Sequence, residues 1–366
     1  MKKNLKLLLP VLALPAVLLA GCGETSSSVS VEPEEVTVYF GLGSAASYAD
    51  KAATDTAGAY VQTDLDVAAV LFDEDGKVID VNLDVMQVKA VSTAAEVTTL
   101  STKLFIDEAE GDIASKWELG ALYAMSGASP ISKEWYEQAD AYENWAVGKT
   151  VAEITDTAIL TDYHGGKALT DGATVGVTVT VDGFMAVITE AWENKIEVVV
   201  EDAADLKVGV AMNNSHAALQ DDVAVGGAIL DAEDKVVASK FDVYQIPYAV
   251  AVNSTDETLF DVTVNTTSKK QVDATNLEIK SKHDLGAEYG MTSASPIAKD
   301  WFEQADAFAA YVVGKTAEEI ADPETLVDYH GGKALEDGAT VGTTMTIDAF
   351  LKLYAEVDVV ANDDAR

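Results

Sequence analysis

The chain has 366 residues, with 24 Lys and Arg against 62 Asp and Glu, a formal charge of −38. Acidity on that scale excludes a nucleic-acid binder, which needs clustered Lys and Arg to neutralise phosphates; it suits solubility at a crowded surface or attraction of cations such as ferric ions. With 48% apolar residues the chain can still bury substantial cores, and its length suits two domains.

Lys2, Lys3 and Lys6 precede an apolar run from Leu7 to Ala20, the charged head and hydrophobic region of a secretory signal. The run is too short for a membrane span. It closes on Leu18-Leu19-Ala20-Gly21-Cys22, which resembles the lipobox of bacterial lipoproteins, whose cysteine receives a diacylglyceryl group. Cys22 is the sole cysteine, so no disulfide forms within the chain, and lipidation would consume its only thiol. Residues 1–21 are therefore expected to be a lipoprotein signal peptide and 22–36 a disordered polar tether. The protein is expected on the extracellular face of the cell membrane, lipid-anchored through Cys22. Two domains, 37–195 and 196–358, should follow.

The division into two rests on a repeat. Residues 121–180 align with 287–346 at a constant offset, with 38 identities in 60 positions and no gap. In the less similar N-terminal halves, Val67 to Ile79 returns as Val225 to Val237, each reading as a β-hairpin around an Asp-rich turn. The turn Asp73-Glu74-Asp75-Gly76 lacks the remaining oxygen ligands of a calcium loop. Ser129-Pro130 and Ser295-Pro296 read as helix starts, predicting a helix over about 131–146 that buries Trp135, Ala139, Tyr142 and Trp145 and stops near Gly148. Thr150 to Ile154 and Thr316 to Ile320 read as short capped helices. Each unit then ends in a β-branched run, Thr174–Val181 or Thr340–Ile347, expected as a strand, and a final helix from Phe184 or Phe350. The fold class is α+β, twice over, with a hairpin-containing sheet packed against helices.

Gly-Lys-Thr at 148–150 and 314–316 is not a phosphate loop, because Glu143 and Ala309 stand where the earlier glycine is required. The Tyr-His-Gly-Gly-Lys segments at 163–167 and 329–333 bring imidazoles, His164 and His330, beside a glycine turn and a cation. Such a set can meet a phosphate or flavin edge, or be a plain surface turn. His164, His216, His283 and His330 are too dispersed for a zinc site to be expected. The stretches Asp171–Thr180 and Asp337–Thr346 set hydroxyls beside glycines ahead of a helix. Glycine there can admit a phosphate or a modifying enzyme close to the backbone, or the threonines can simply favour a strand and cap the helix.

The run Tyr289-Gly-Met-Thr-Ser-Ala-Ser-Pro-Ile-Ala-Lys-Asp-Trp-Phe-Glu-Gln304, with Val312-Val-Gly-Lys-Thr316 and Asp337-Gly-Ala-Thr-Val-Gly342, resembles the PplA-like FMN-binding lipoproteins of Gram-positive flavin-based extracellular electron transfer. The likeness spans signal, tether and both domains. It implies that an ApbE-type FMN transferase esterifies FMN to a threonine in each domain. The loaded protein would then relay electrons from a membrane NADH dehydrogenase and quinone pool to extracellular acceptors such as ferric iron, without catalysing a reaction of its own. It also implies a second use of Leu12–Ala20, as a peptide pheromone.

The family's modification pattern aligns best on Thr178 and Thr344, with Asp171, Gly176, Asp337 and Gly342 as the accompanying positions. Valine replaces the first hydroxyl residue, and one residue is added after the aspartate. The literal Gly-Ala-Thr triplets end instead on Thr174 and Thr340, which remain alternatives. Tyr123, Met125, Trp135 and their partners Tyr289, Met291 and Trp301 offer surface to a flavin ring or simply belong to the core. The competing functions are a surface lipoprotein that binds a solute or other ligand without redox chemistry, and a structural spacer.

Overall fold

The computed structural model describes residues 35–52, 59–92, 100–101, 113–217, 219–255, 260–267 and 270–362. The leader, Cys22 and the tether up to residue 34 lie outside the described residues. The first repeat opens with three long strands, β1 (Val36–Lys51), β2 (Tyr60–Phe72) and β3 (Val78–Ser92), and a short β4 (Leu100–Ser101). Helices α1 (Lys116–Leu119), α2 (Trp135–Ala146) and α3 (Val151–Ile154) follow. The hairpin β5 (Leu160–Tyr163) and β6 (Gly166–Leu169) leads to α4 (Gly172–Val175) and α5 (Asp182–Glu193). After β7 (Ile196–Val200) the plan recurs, with β8 (Lys207–Ala217), β9 (Gln220–Leu230), β10 (Val236–Val252) and β11 (Phe260–Val264). Short β12 (Val272–Asp273) and β13 (Glu278–Ile279) precede α6 (Lys282–Leu285), α7 (Trp301–Tyr311) and α8 (Ala317–Ile320). The hairpin β14 (Leu326–Tyr329) and β15 (Gly332–Leu335), α9 (Gly338–Val341) and α10 (Asp348–Ala361) complete the chain.

The fold is mixed α+β, and its strands pair antiparallel. Besides the two-stranded hairpins β5-β6 and β14-β15, one sheet runs β12-β13-β1-β2-β3-β4 with β7 also on β1, and another runs β11-β10-β9-β8. Strand β2 explains how these two larger sheets stack. Val67, Ala69 and Leu71 face one core, while the alternating Ala68, Val70 and Phe72 face another. A strand buried on both faces loses the polar alternation of a one-sided sheet. The first of those cores also holds Val210, Met212, Val223 and Ile229 of the second repeat, so the two sheets bury their inner faces against each other. The outer faces carry α2 and α5 on one side and α7 and α10 on the other. Tyr244 donates across the shared core to the Ser44 carbonyl at 2.7 Å. Residues 196–200, expected to open the second domain, pair with β1 through Val36↔Val200 to Phe40↔Ile196.

Glycines set how closely the outer helices approach. A Cβ on Gly41 would lie 2.0 Å from the Ala191 carbonyl oxygen on α5, and one on Gly209 would lie 2.4 Å from that of Val357 on α10.

Two expectations are corrected. The helix expected from 131 begins at Trp135, because Ser129–Ser132 forms a turn whose last residue has φ +53°, a left-handed conformation that cannot continue a helix. Ser129 does not cap it; Glu134 does, in a reciprocal box with Glu137, and Asp300 and Glu303 repeat the arrangement. The strand expected over Thr174–Val181 is absent: Gly172–Val175 and Gly338–Val341 are single helical turns. They close at Gly176 and Gly342, whose φ values of +101° and +104° overrule the β preference of the valines and threonines. The hairpin turns and the Thr150 and Thr316 capping boxes form as the sequence predicts.

Candidate functional site

The glycine that ends α4 throws the chain across α2, and Thr178 lands on a buried amide. The Thr178 backbone N–H donates to Gln138 Oε1 at 2.7 Å, and its hydroxyl donates to the same oxygen at 3.1 Å. Gln138 is fully buried on α2, and its Nε2 donates to Ser129 Oγ and to the Lys133 carbonyl, both at 3.2 Å. A backbone N–H can only donate, so the amide oxygen must face Thr178. The second repeat reproduces the clamp: Thr344 donates to Gln304 Oε1 at 2.8 and 3.2 Å, and Gln304 Nε2 donates to Ser295 Oγ and the Lys299 carbonyl at 3.1 Å.

A cation stands at each clamp. A Cβ on Gly176 would come within 3.1 Å of Lys133 Nζ, and one on Gly342 within 2.7 Å of Lys299 Nζ. The positive φ favours glycine at both places, and its missing Cβ leaves room for the flexible lysine end that lies against it.

Beyond Thr344 the chain borders a cavity of about 460 Å³, lined among others by Asn213, Asp222, Lys282, Trp301, Met345 and Phe350. That volume suits a small-molecule or cofactor site, as does a lining that combines apolar and aromatic surface with a few polar groups. Lys282 lies over the rings of Tyr289 and Trp301, each at 5.1 Å. Burial lowers its pKa, with Asp222 and Asp242 opposing. Lys116, Tyr123 and Trp135 repeat the arrangement at 5.3 and 5.4 Å.

The other sequence candidates divide. Thr174 and Thr340 are exposed on α4 and α9, their backbone N–H groups bonded to the carbonyls of Asp171 and Asp337 at 2.8 Å. The two aspartates head these turns without a side-chain cap bond. His164 and His330 are exposed at the tips of the hairpins β5/β6 and β14/β15. Their φ values of 49° and 47°, followed by glycines at 87°, fit the two-residue turn of a type I′ hairpin. Each following lysine reaches across its hairpin to Asp162 or Asp328. The hairpins dock on the site through the Val181 N–H on the Lys167 carbonyl at 2.7 Å and Ile347 on Lys333 at 2.8 Å, three residues past the clamped threonines. Sequence reasoning missed Gln138, Gln304, Lys133, Lys299, Lys116 and Lys282. Their identity at equivalent places in the two repeats was the available signal.

A chlorophenol reductase of Desulfitobacterium hafniense is 30% identical to this chain over 131 residues, covering 35% of the chain and 39% of that protein. The chain therefore matches well under half the length of that relative. No family model and no solved structure matches.

Proposed function

We propose that the protein is a membrane-surface electron carrier built from two tandem FMN-binding-type domains, with one FMN joined by a phosphoester to Thr178 and a second to Thr344. The observation that carries this reading is the duplicated clamp: in both repeats the same threonine hydroxyl is fixed by a buried glutamine beside a glycine and a lysine. Lys133 and Lys299 would offset the phosphate charge. In the second repeat Trp301 and Phe350 give the adjoining cavity an aromatic wall suited to a planar ring. The flavin would supply the redox chemistry, and the chain's residues would hold, orient and tune it. Gln138 and Gln304 point each acceptor hydroxyl and keep a bond to the threonine N–H whether or not the hydroxyl is esterified. The resemblance to FMN-binding lipoproteins and the similarity to a protein named a reductase both support a redox role.

On this reading an ApbE-type transferase loads the protein. A membrane NADH dehydrogenase and quinone pool supply electrons, and soluble or mineral acceptors such as ferric iron receive them. A lipid on Cys22 keeps the carrier beside its donor. The test is co-expression with an FMN transferase followed by a denaturing gel. Flavin fluorescence that stays with the unfolded band is expected, and a dark band would leave the non-redox binding protein as the better reading.

A further inference from the structure

The two sites differ in charge at three aligned places. Ala224 lines the second-repeat cavity, and its counterpart on β2 is Asp66. Across the site, a Cβ on Gly183 would come within 2.6 Å of Asp66 Oδ1, whereas the second repeat carries Ala349 there. An Asp with a Gly thus replaces an Ala with an Ala, which changes the total volume little and adds a carboxyl. Burial pushes Asp66 up to about 6 against the pull of the Lys116 ammonium, with Asp64 adding to the rise.

The second difference is His283, where the first repeat has Trp117. Both donate a backbone N–H to an equivalent carboxylate, His283 to Asp242 at 3.1 Å and Trp117 to Asp84 at 3.2 Å, so the positions correspond in space. The His283 ring meets Trp301, a wall of the cavity, edge-on at 5.4 Å. Burial alone would lower its pKa, but Asp242 and Asp306 hold it up at about 10, which places an imidazolium behind that wall. The third difference is Lys352, which lines the second-repeat cavity where the first repeat has Ala186.

We propose that these exchanges make the first-repeat flavin the harder of the two to reduce, with Asp66 the residue that sets it apart. The inference rests on the flavin reading above. Reduction adds electrons to a bound ring, so a carboxylate facing the site opposes it, and cations beside the site favour it. Two electrons enter from a quinol, which is oxidised to quinone and releases two protons to solvent, and any protons taken up by a reduced ring are drawn from solvent. At partial reduction the electrons that leave the first flavin reduce the second.

The test is a potentiometric dithionite titration of the full mature chain loaded with FMN. Thr344→Ala confines flavin to the first site and Thr178→Ala to the second. The first site should titrate lower by at least about tenfold in its two-electron equilibrium constant, about 30 mV. Asp66→Asn in the Thr344→Ala protein should raise that midpoint, and Ala224→Asp with Ala349→Gly in the Thr178→Ala protein should lower the other. Equal or inverted midpoints, or a first-site midpoint that ignores Asp66→Asn while the second ignores the paired change, would overturn the ordering and leave the flavin reading intact. A mass spectrum without any FMN adduct would overturn both.

Discussion

The first and second repeats hold the same threonine in the same amide clamp, yet surround it with different charge. Bond lengths at the two clamps agree within about 0.1 Å, and the lysine–glycine contact recurs at both. Asp66, Trp117 and Ala186 in one repeat nevertheless stand against Ala224, His283 and Lys352 in the other. Duplication has kept the clamp geometry and let the electrostatics diverge. The comparison separates what holds a group in place from what tunes it.

The heaviest blow to either half falls on the seating of its outer helix. Gly41→Ala and Gly209→Ala each drive a methyl into a helix carbonyl and should cost about 3 kcal/mol or more in urea unfolding, with Gly41 the worse. A tolerated substitution at one site alone would show that the repeats seat their helices differently. Gln138→Leu strands the Thr178 N–H in a part-buried site, at about 1–3 kcal/mol, and should depress FMN incorporation in the first repeat only. Gln304→Leu should do the reverse, as peptide-resolved mass spectrometry would reveal. Loss of both adducts from either change would mean that the clamps are not independent.

Smaller effects follow from pH. The pKa of His283 is raised in the folded chain to about 10 from 6.5, so its stabilisation is complete below about pH 6 and is lost as pH climbs through about 10. His283→Gln should therefore cost about 2 kcal/mol near neutrality and progressively less in alkali. Asp66 is also raised, but as an acid it has the opposite consequence. Its ionisation destabilises the fold as pH rises from about 4 through about 6, so Asp66→Asn should stabilise the protein by about 1–2 kcal/mol near pH 8 and have little effect near pH 4. Denaturant midpoints measured from about pH 4 to about pH 10 check both signs.

Local chemistry was legible in the sequence and long-range packing was not. Thr150 with Glu153, the Asp-rich hairpin turns and the final helices carry their signals within a few residues. The start of α2 was misplaced because Ser-Pro reads as a helix cap, whereas Ser132 turns left-handed and moves the cap to Glu134. The Thr174–Val181 run reads as a strand because β-branched residues dominate it, yet one positive-φ glycine decides the backbone. The Val67–Phe72 run reads as one strand of a hairpin, and nothing local in it says that both its faces are covered, one of them by the second repeat's sheet. The glutamine clamp was hidden because Gln138 and Thr178 meet only through the fold, 40 residues apart in sequence.

Adduct mapping on the mature chain co-expressed with an FMN transferase tests the central claim most directly. Two FMN phosphoesters are expected, one lost on Thr178→Ala and the other on Thr344→Ala. A chain without adducts, or adducts on Thr174 and Thr340 that survive those substitutions, would contradict it.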